Sequence, residues 1–247
     1  SSTHPLSIQR LSDIENRIEG QPSAAVKPDP EFWFVRTRLA LIQARDHADR
    51  QRLRQTLHGE ARDLRGQRQA AALFGLASLD QEDGDLAGAR AQLERAQAAG
   101  AAPQLDMLAI RLAAAQGLTA AVDVSATAWK RWPHSQGVAE ARAHALQKAG
   151  QDKAAAVFLQ AAVEQWPDTP EFQKLLAASL QRLGREVEAH EAMASYFEQT
   201  GALPTAVEHL RQARTLSKDF YVQSRLDMRI RALRERLDNQ RALLEPF

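Results

Sequence analysis

The amino-acid sequence predicts an all-α fold, a right-handed solenoid of antiparallel helix pairs, on three observations. Ala, Leu, Gln, Arg and Glu, which lose little on entering a helix, dominate the 247 residues, while aromatics make up only 6%. Alternating apolar and polar runs of β-branched residues, the mark of strands and hairpins, are absent. Turn glycines recur at a nearly fixed step, Gly84, Gly117, Gly150 and Gly184 lying 33, 33 and 34 residues apart. A fixed step of this size marks stacked helix-turn-helix units.

The elements follow in chain order. Residues 1–20 read as an N-terminal helix, with Leu6, Ile8, Leu11, Ile14 and Ile18 as its apolar residues, Ser7 as its N-cap and Gly20 as its stop. Residues 21–30, Gln21 to Pro30, form a linker rich in helix-ending residues, and Asp29-Pro30 would open the next helix. Residues 31–66 read as a degenerate helical pair, Glu31 to Ala44 and His47 to Leu64. Phe32, Val35, Leu39, Ile42, Leu53 and Leu57 are expected to face inward.

Residues 67–218 carry the repeats, whose step of roughly 34 residues is that of the tetratricopeptide unit. In such a unit two helices cross closely only where small residues meet, so Ala77, Ala109, Ala143 and Ala177 of the first helices are set against Ala89, Ala121, Ala155 and Ala189 of the second. Leu73, Leu76, Leu105, Leu108, Leu112, Leu146, Leu176 and Leu180 supply the apolar stripe of the first helices. Glycine supplies the turn between helices, and Trp132-Pro133 and Trp166-Pro167 end two units. Gly201 arrives only 17 residues after Gly184, and Ala206, Leu210 and Ala213 then repeat the second-helix pattern, as if half a unit had been added. Residues 219–247 place Val222, Leu226, Ile230, Leu233 and Leu237 on one face, which reads as an amphipathic C-terminal capping helix.

Composition narrows the function. Lys plus Arg number 32 against 31 Asp plus Glu, so no global field draws the chain to nucleic acid, and none is expected as a partner. No stretch approaches the roughly 18 apolar residues of a membrane span. The absence of cysteine removes disulfides, thiol nucleophiles and zinc–thiolate sites, and leaves the compartment open. No Gly-x-Ser-x-Gly elbow or phosphate-cradling glycine loop occurs, and the seven histidines show no ligand spacing, so neither a catalytic nor a metal residue is assigned. Trp132 and Trp166, beside the repeat-ending prolines, read as packing residues. From Thr205 to Phe247 nine Lys/Arg face six Asp/Glu, an excess that reads as a solvated helix face.

Three stretches together carry a resemblance: Thr3-His4-Pro5-Leu6 running into Arg10 and Asp13-Ile14-Glu15-Asn16-Arg17, the degenerate repeats, and Asp219-Phe220-Tyr221 followed by Ser224-Arg225-Leu226-Asp227 and Arg229. Essentially the whole chain resembles the C-terminal tetratricopeptide region of BepA-like (YfgC-like) periplasmic zinc metallopeptidases of family M forty-eight. In that family the His-Pro-Leu segment directly follows the protease domain, so the resemblance implies a catalytic domain upstream of His4. It also implies a periplasmic location, and partners among outer-membrane assembly proteins, their unfolded substrates and the catalytic domain itself. Zinc is then expected only in that upstream domain and no cofactor in this chain, because the single His-Glu pair, His190-Glu191, is followed by Ala194 where HExxH needs its second histidine. A standalone tetratricopeptide scaffold without a protease is the alternative.

In either case the expected function is non-catalytic protein or peptide binding, on the concave face of the first helices that stacking leaves uncovered. The repeat register places Phe74, Ser78, Gln81, Ile110, Glu140, His144, Gln147, Lys148, Lys174, Gln181 and Arg182 there, with Lys148 or Arg182 free to hold a carboxylate. A chaperone-tail clamp would need Lys and Asn where Phe74 and Ser78 stand, and is not expected.

Overall fold

Local capping chemistry cuts the chain into helices. The computed structural model describes Asp29 and residues 31–244. The expected helix of residues 1–20 and, Asp29 apart, the linker lie outside the described residues. Twelve helices follow in it: α1 (Phe32–Gln43), α2 (His47–Asp63), α3 (Gln67–Glu82), α4 (Leu86–Ala99), α5 (Pro103–Ala114), α6 (Leu118–Arg131), α7 (Gln136–Lys148), α8 (Asp152–Gln165), α9 (Pro170–Arg182), α10 (Glu186–Gln199), α11 (Leu203–Leu216) and α12 (Phe220–Leu244). Asp46, Asp85 and Ser135 cap α2, α4 and α7 by accepting from the amides of Asp49, Gly88 and Val138. Pro103 and Pro170 open α5 and α9, where the missing N–H costs nothing. Trp132 and Trp166 are the C-caps of α6 and α8, each followed by its proline.

Each helix packs on its sequence neighbours, and the odd-numbered helices also stack on one another, α1 on α3, α3 on α5, α5 on α7 and α7 on α9. The result is a tetratricopeptide-like solenoid with an inner layer of odd helices. Its core is a string of four clusters running from Phe34 to Leu233. All eight first-helix leucines are buried, as are Ala77, Ala143 and Ala177 in the clusters of Ala89, Ala155 and Ala189. Ala109 departs from its expected partner, packing half-buried on the preceding unit's cluster while Ala121 belongs to the next. Trp166 stacks on Phe172 at 5.4 Å, and Trp132 donates its Nε1–H to Asp106 at 2.5 Å, so both tryptophans pack.

The C-terminal excess of basic residues is largely spent on ion pairs. Arg225 pairs with Glu191 at 2.7 Å, and Arg229 and Arg236 both reach Glu198, tying α12 to α10. Arg214 holds Asp227 across α11 and α12.

One expectation fails at α1. Phe32, Val35, Leu39 and Ile42 do not face inward, being 49%, 49%, 53% and 65% exposed. The helix and its C-cap Ala44 carry a second series with the same spacing, Phe34, Thr37, Leu41 and Ala44, two positions on and therefore about 200° round the axis. That series packs, because its small members permit close approach to α3: a Cβ on Gly75 would stand 2.7 Å from Thr37 Cγ2. Phe34 then lies on Phe74, ring centroids 5.8 Å apart. Of the two expected α2 residues, Leu57 is buried and Leu53 half-buried.

Candidate functional site

The inner face of the odd helices bears two hollows that share a wall. The first, about 450 Å³, is floored by apolar atoms of Met107, Ile110 and Ala114 from α5, Leu118 and Ala121 from α6, and Ala141 and Ala145 from α7. Its rim carries Arg38, Arg111, Glu140, His144 and Lys148. The second, about 590 Å³, lies between α1, α2 and α3 and includes Leu41, Ile42, Arg45, Arg50, Phe74, Ser78, Gln81 and Glu82. Arg38 and Arg111 border both, so the hollows form one groove.

Seven of the eleven expected residues line this groove: Ile110, Glu140, His144 and Lys148 in the first hollow, Phe74, Ser78 and Gln81 in the second. Within it Phe74, Ser78 and Ile110 are almost wholly buried, and the Ser78 hydroxyl is used up on the Phe74 carbonyl at 2.9 Å. The other four do not line either hollow. Gln147 donates to the Leu175 carbonyl and to Ser179 Oγ, each at 2.8 Å, and so locks α7 to α9. Lys174 pairs with Glu171 at 3.4 Å and sits 6.0 Å from the Tyr196 ring, and Gln181 is exposed. Arg182 is paired with Asp152 of α8, so of the two basic residues expected to hold a carboxylate only Lys148 stands at the groove.

The groove's strongest cations went unforeseen. Arg38 and Arg111 lie 73 residues apart in sequence, on different units, and no local pattern joins them. Burial lowers the Arg111 pKa, the charge of Arg38 lowers it further, and Glu82 opposes the shift. Glu82 itself pairs with Arg50 at 3.2 Å. The one side-chain partner of Arg111 among the described residues is Gln81 Oε1, at 3.4 Å. Two guanidiniums beside an apolar hollow, neither in a salt bridge among the described residues, favour a ligand that brings a carboxylate.

Neither a protein-family model nor a curated protein matches the chain. Among solved structures, a MamA double mutant ("MamA RS-1 ArsTM double mutant") is 19% identical over 69% of this chain and 97% of its own, with a TM-score of 0.49. Human IFIT1 dimers with PPP-AAAA and with m7Gppp-AAAA are 15% and 16% identical over 86% of this chain, each with a TM-score of 0.34. This chain covers 55% and 56% of those IFIT1 chains.

Among the described residues no three His, Asp or Glu side chains gather as a metal-ligand set. The residue in the place of an HExxH second histidine, Ala194, is fully buried. Among the same residues no helix is long and apolar enough to cross a membrane.

Proposed function

We propose that this chain is a non-catalytic interaction module that holds an extended protein segment in the groove between α1 and α7. The observation that supports this reading is the apolar hollow of about 450 Å³ bordered by Arg38 and Arg111. An apolar side chain of the segment fills the hollow, and an adjacent carboxylate accepts from the two guanidiniums. A charge-assisted hydrogen bond of this kind contributes about 1.5–3 kcal/mol. Lys148 and His144 extend the recognition along α7.

The resemblance of the Thr3-His4-Pro5-Leu6 stretch and of the repeats extends the proposal. The module serves a periplasmic zinc metallopeptidase whose catalytic domain precedes His4 and holds the zinc. It docks that enzyme on outer-membrane assembly proteins or their unfolded substrates, and can shield the protease cleft. The organisation proposed for residues 1–247 is the one expected from sequence: N-terminal helix, linker, degenerate pair, repeats and cap.

The test is binding of the labelled chain to an array of peptides tiled from unfolded outer-membrane proteins, beside an Arg38→Glu/Arg111→Glu variant. Peptides that place Asp or Glu next to a large apolar residue bind the unaltered chain, and the variant loses about tenfold or more, as expected from losing 1.5 kcal/mol or more. Equal binding by both forms overturns the groove reading. The parent enzyme is checked separately in the encoding gene, where an HExxH segment upstream of His4 is expected.

A further inference from the structure

The two hollows of the groove differ in charge. Arg38, Arg45, Arg50 and Arg111 border the second against one acid, Glu82, and that acid is paired with Arg50 at 3.2 Å. The other acids on α2, α3 and their caps are occupied: Asp49 by Arg52, Glu60 by Arg36, Asp63 by Arg62, Asp80 and Asp83 by Arg54, and Asp46 by the α2 amide that it caps. The helix α1 carries no Asp or Glu. Arg38, Arg45 and Arg111 are thus left without an ion pair among the described residues, a local concentration of positive charge on a chain whose net charge is only +1.

The chemistry of the missing counter-charge follows from how these cations are spread. Arg38 lies on α1 and Arg45 just past its end, seven residues on, a distance of about 10 Å along the chain direction, and Arg111 comes from α5. One carboxylate or one phosphate does not span that distance, whereas an extended run of Asp and Glu presents carboxylates on one side about 7 Å apart. A single-stranded nucleic acid also carries a charge at each step, but it needs exposed rings on which its bases stack. Phe74, the one aromatic residue bordering the hollow among the described residues, is 2% exposed.

We infer that the second hollow takes an acidic run, so that the segment held by the groove is an apolar anchor in the first hollow flanked on one side by several Asp or Glu residues. The guanidiniums of Arg38 and Arg111 stand between the hollows, so the run begins at that shared wall and continues toward Arg45. This inference rests on the groove reading above and adds to it the class of partner, an acidic protein segment.

The test is fluorescence anisotropy of two labelled peptides at one fixed salt concentration. The first carries one Phe with an adjacent Asp among Ser and Gly. The second differs only in three further Glu beyond the Asp, and both are made with the acids before and after the Phe. The second peptide is expected to bind at least about tenfold tighter in one of the two orders, each further pair at an exposed arginine being worth up to about fivefold. Arg45→Glu should bring that ratio down to about twofold or less, and Arg95→Glu, the same charge change on the outer helix α4, should leave it as it was. Arg45 is exposed, and circular dichroism checks that both variants keep their helices. Equal binding of the two peptides, with the first still weakened by Arg38→Glu/Arg111→Glu, overturns this inference and leaves the groove reading standing. A first peptide that the double variant binds undiminished overturns both. A gain that survives Arg45→Glu, or that Arg95→Glu abolishes equally, overturns the inference. So does an oligothymidylate of equal charge that binds as tightly as the second peptide, which would assign the hollow to nucleic acid.

Discussion

Two side-chain clusters show how the solenoid is held at single positions. Asp106 is buried on α5 and accepts from Trp132 Nε1 at 2.5 Å and from Arg131 at 3.2 Å, pinning the end of α6 to the inner layer. Asp106→Ala should cost about 1–3 kcal/mol in urea denaturation, because the indole N–H loses its acceptor. Trp132→Phe should then cost less in that background than in the unaltered chain, the non-additivity expected of a shared bond. On α10 and α11, His190 and His209 bring their Nδ1 atoms to 2.9 Å, and the His209 ring stacks on Phe197 at 5.3 Å. Burial lowers the pKa of His209, the neighbouring His190 lowers it further, and Glu208 acts the other way. A base whose folded pKa lies below its unfolded value binds more protons when unfolded, so its contribution to stability is present above about pH 6.5 and is lost as the pH falls below it. The urea midpoint should therefore drop on acidification through that range, and His209→Gln should flatten the drop. Neither cluster is visible as a motif: His190 and His209 are 19 residues apart across the added half-unit, and Asp106 finds its tryptophan 26 residues on. Sequence shows spacing along one element and is blind to pairs that only the crossing of two elements brings together.

Among the elements, the repeat glycines were legible because their backbone demand is local. Gly84, Gly150, Gly184 and Gly201 have φ of +83°, +69°, +71° and +81°, the left-handed region in which a Cβ is costly. Gly150→Ala should lower stability by about 1–2 kcal/mol. Gly59→Ala, inside α2 with open space around it, should raise stability by about 0.5–1 kcal/mol. Calorimetric melting of the two variants should therefore shift in opposite directions, and a common sign would refute the backbone account. The face of α1 was the element-level misreading, for a reason that is itself physical. Periodicity identifies an apolar stripe but cannot rank two stripes of equal spacing, and here the choice was made by size. Thr37 lets the helix settle close to Gly75 of α3, whereas the larger stripe of Phe32, Val35, Leu39 and Ile42 would hold it away.

At the scale of the whole molecule, the string of four core clusters means that each unit is stabilised chiefly by its neighbours, with a longer reach at the N-terminal end, where Gln104 of α5 donates to Glu31 at 2.9 Å. The solenoid itself followed from the glycine step, but the groove did not, since Arg38 comes to border the same two hollows as Arg111 only through the stacking of successive units. Coupling chiefly between neighbours also predicts how the chain comes apart. Glu198 on α10 receives both Arg229 and Arg236 of α12, so Glu198→Ala frees the C-terminal cap at two points with one change. Each pair is partly exposed, and the loss should be modest in free energy but confined in place. Amide hydrogen exchange should quicken through α11 and α12 and stay unchanged in α3 to α5, because among the described residues no helix packing joins α11 or α12 directly to α3, α4 or α5. Equal acceleration along the whole chain would mean that the helices unfold as one cooperative body, and the picture of a one-dimensional stack with a separately held C-terminal cap would have to be given up.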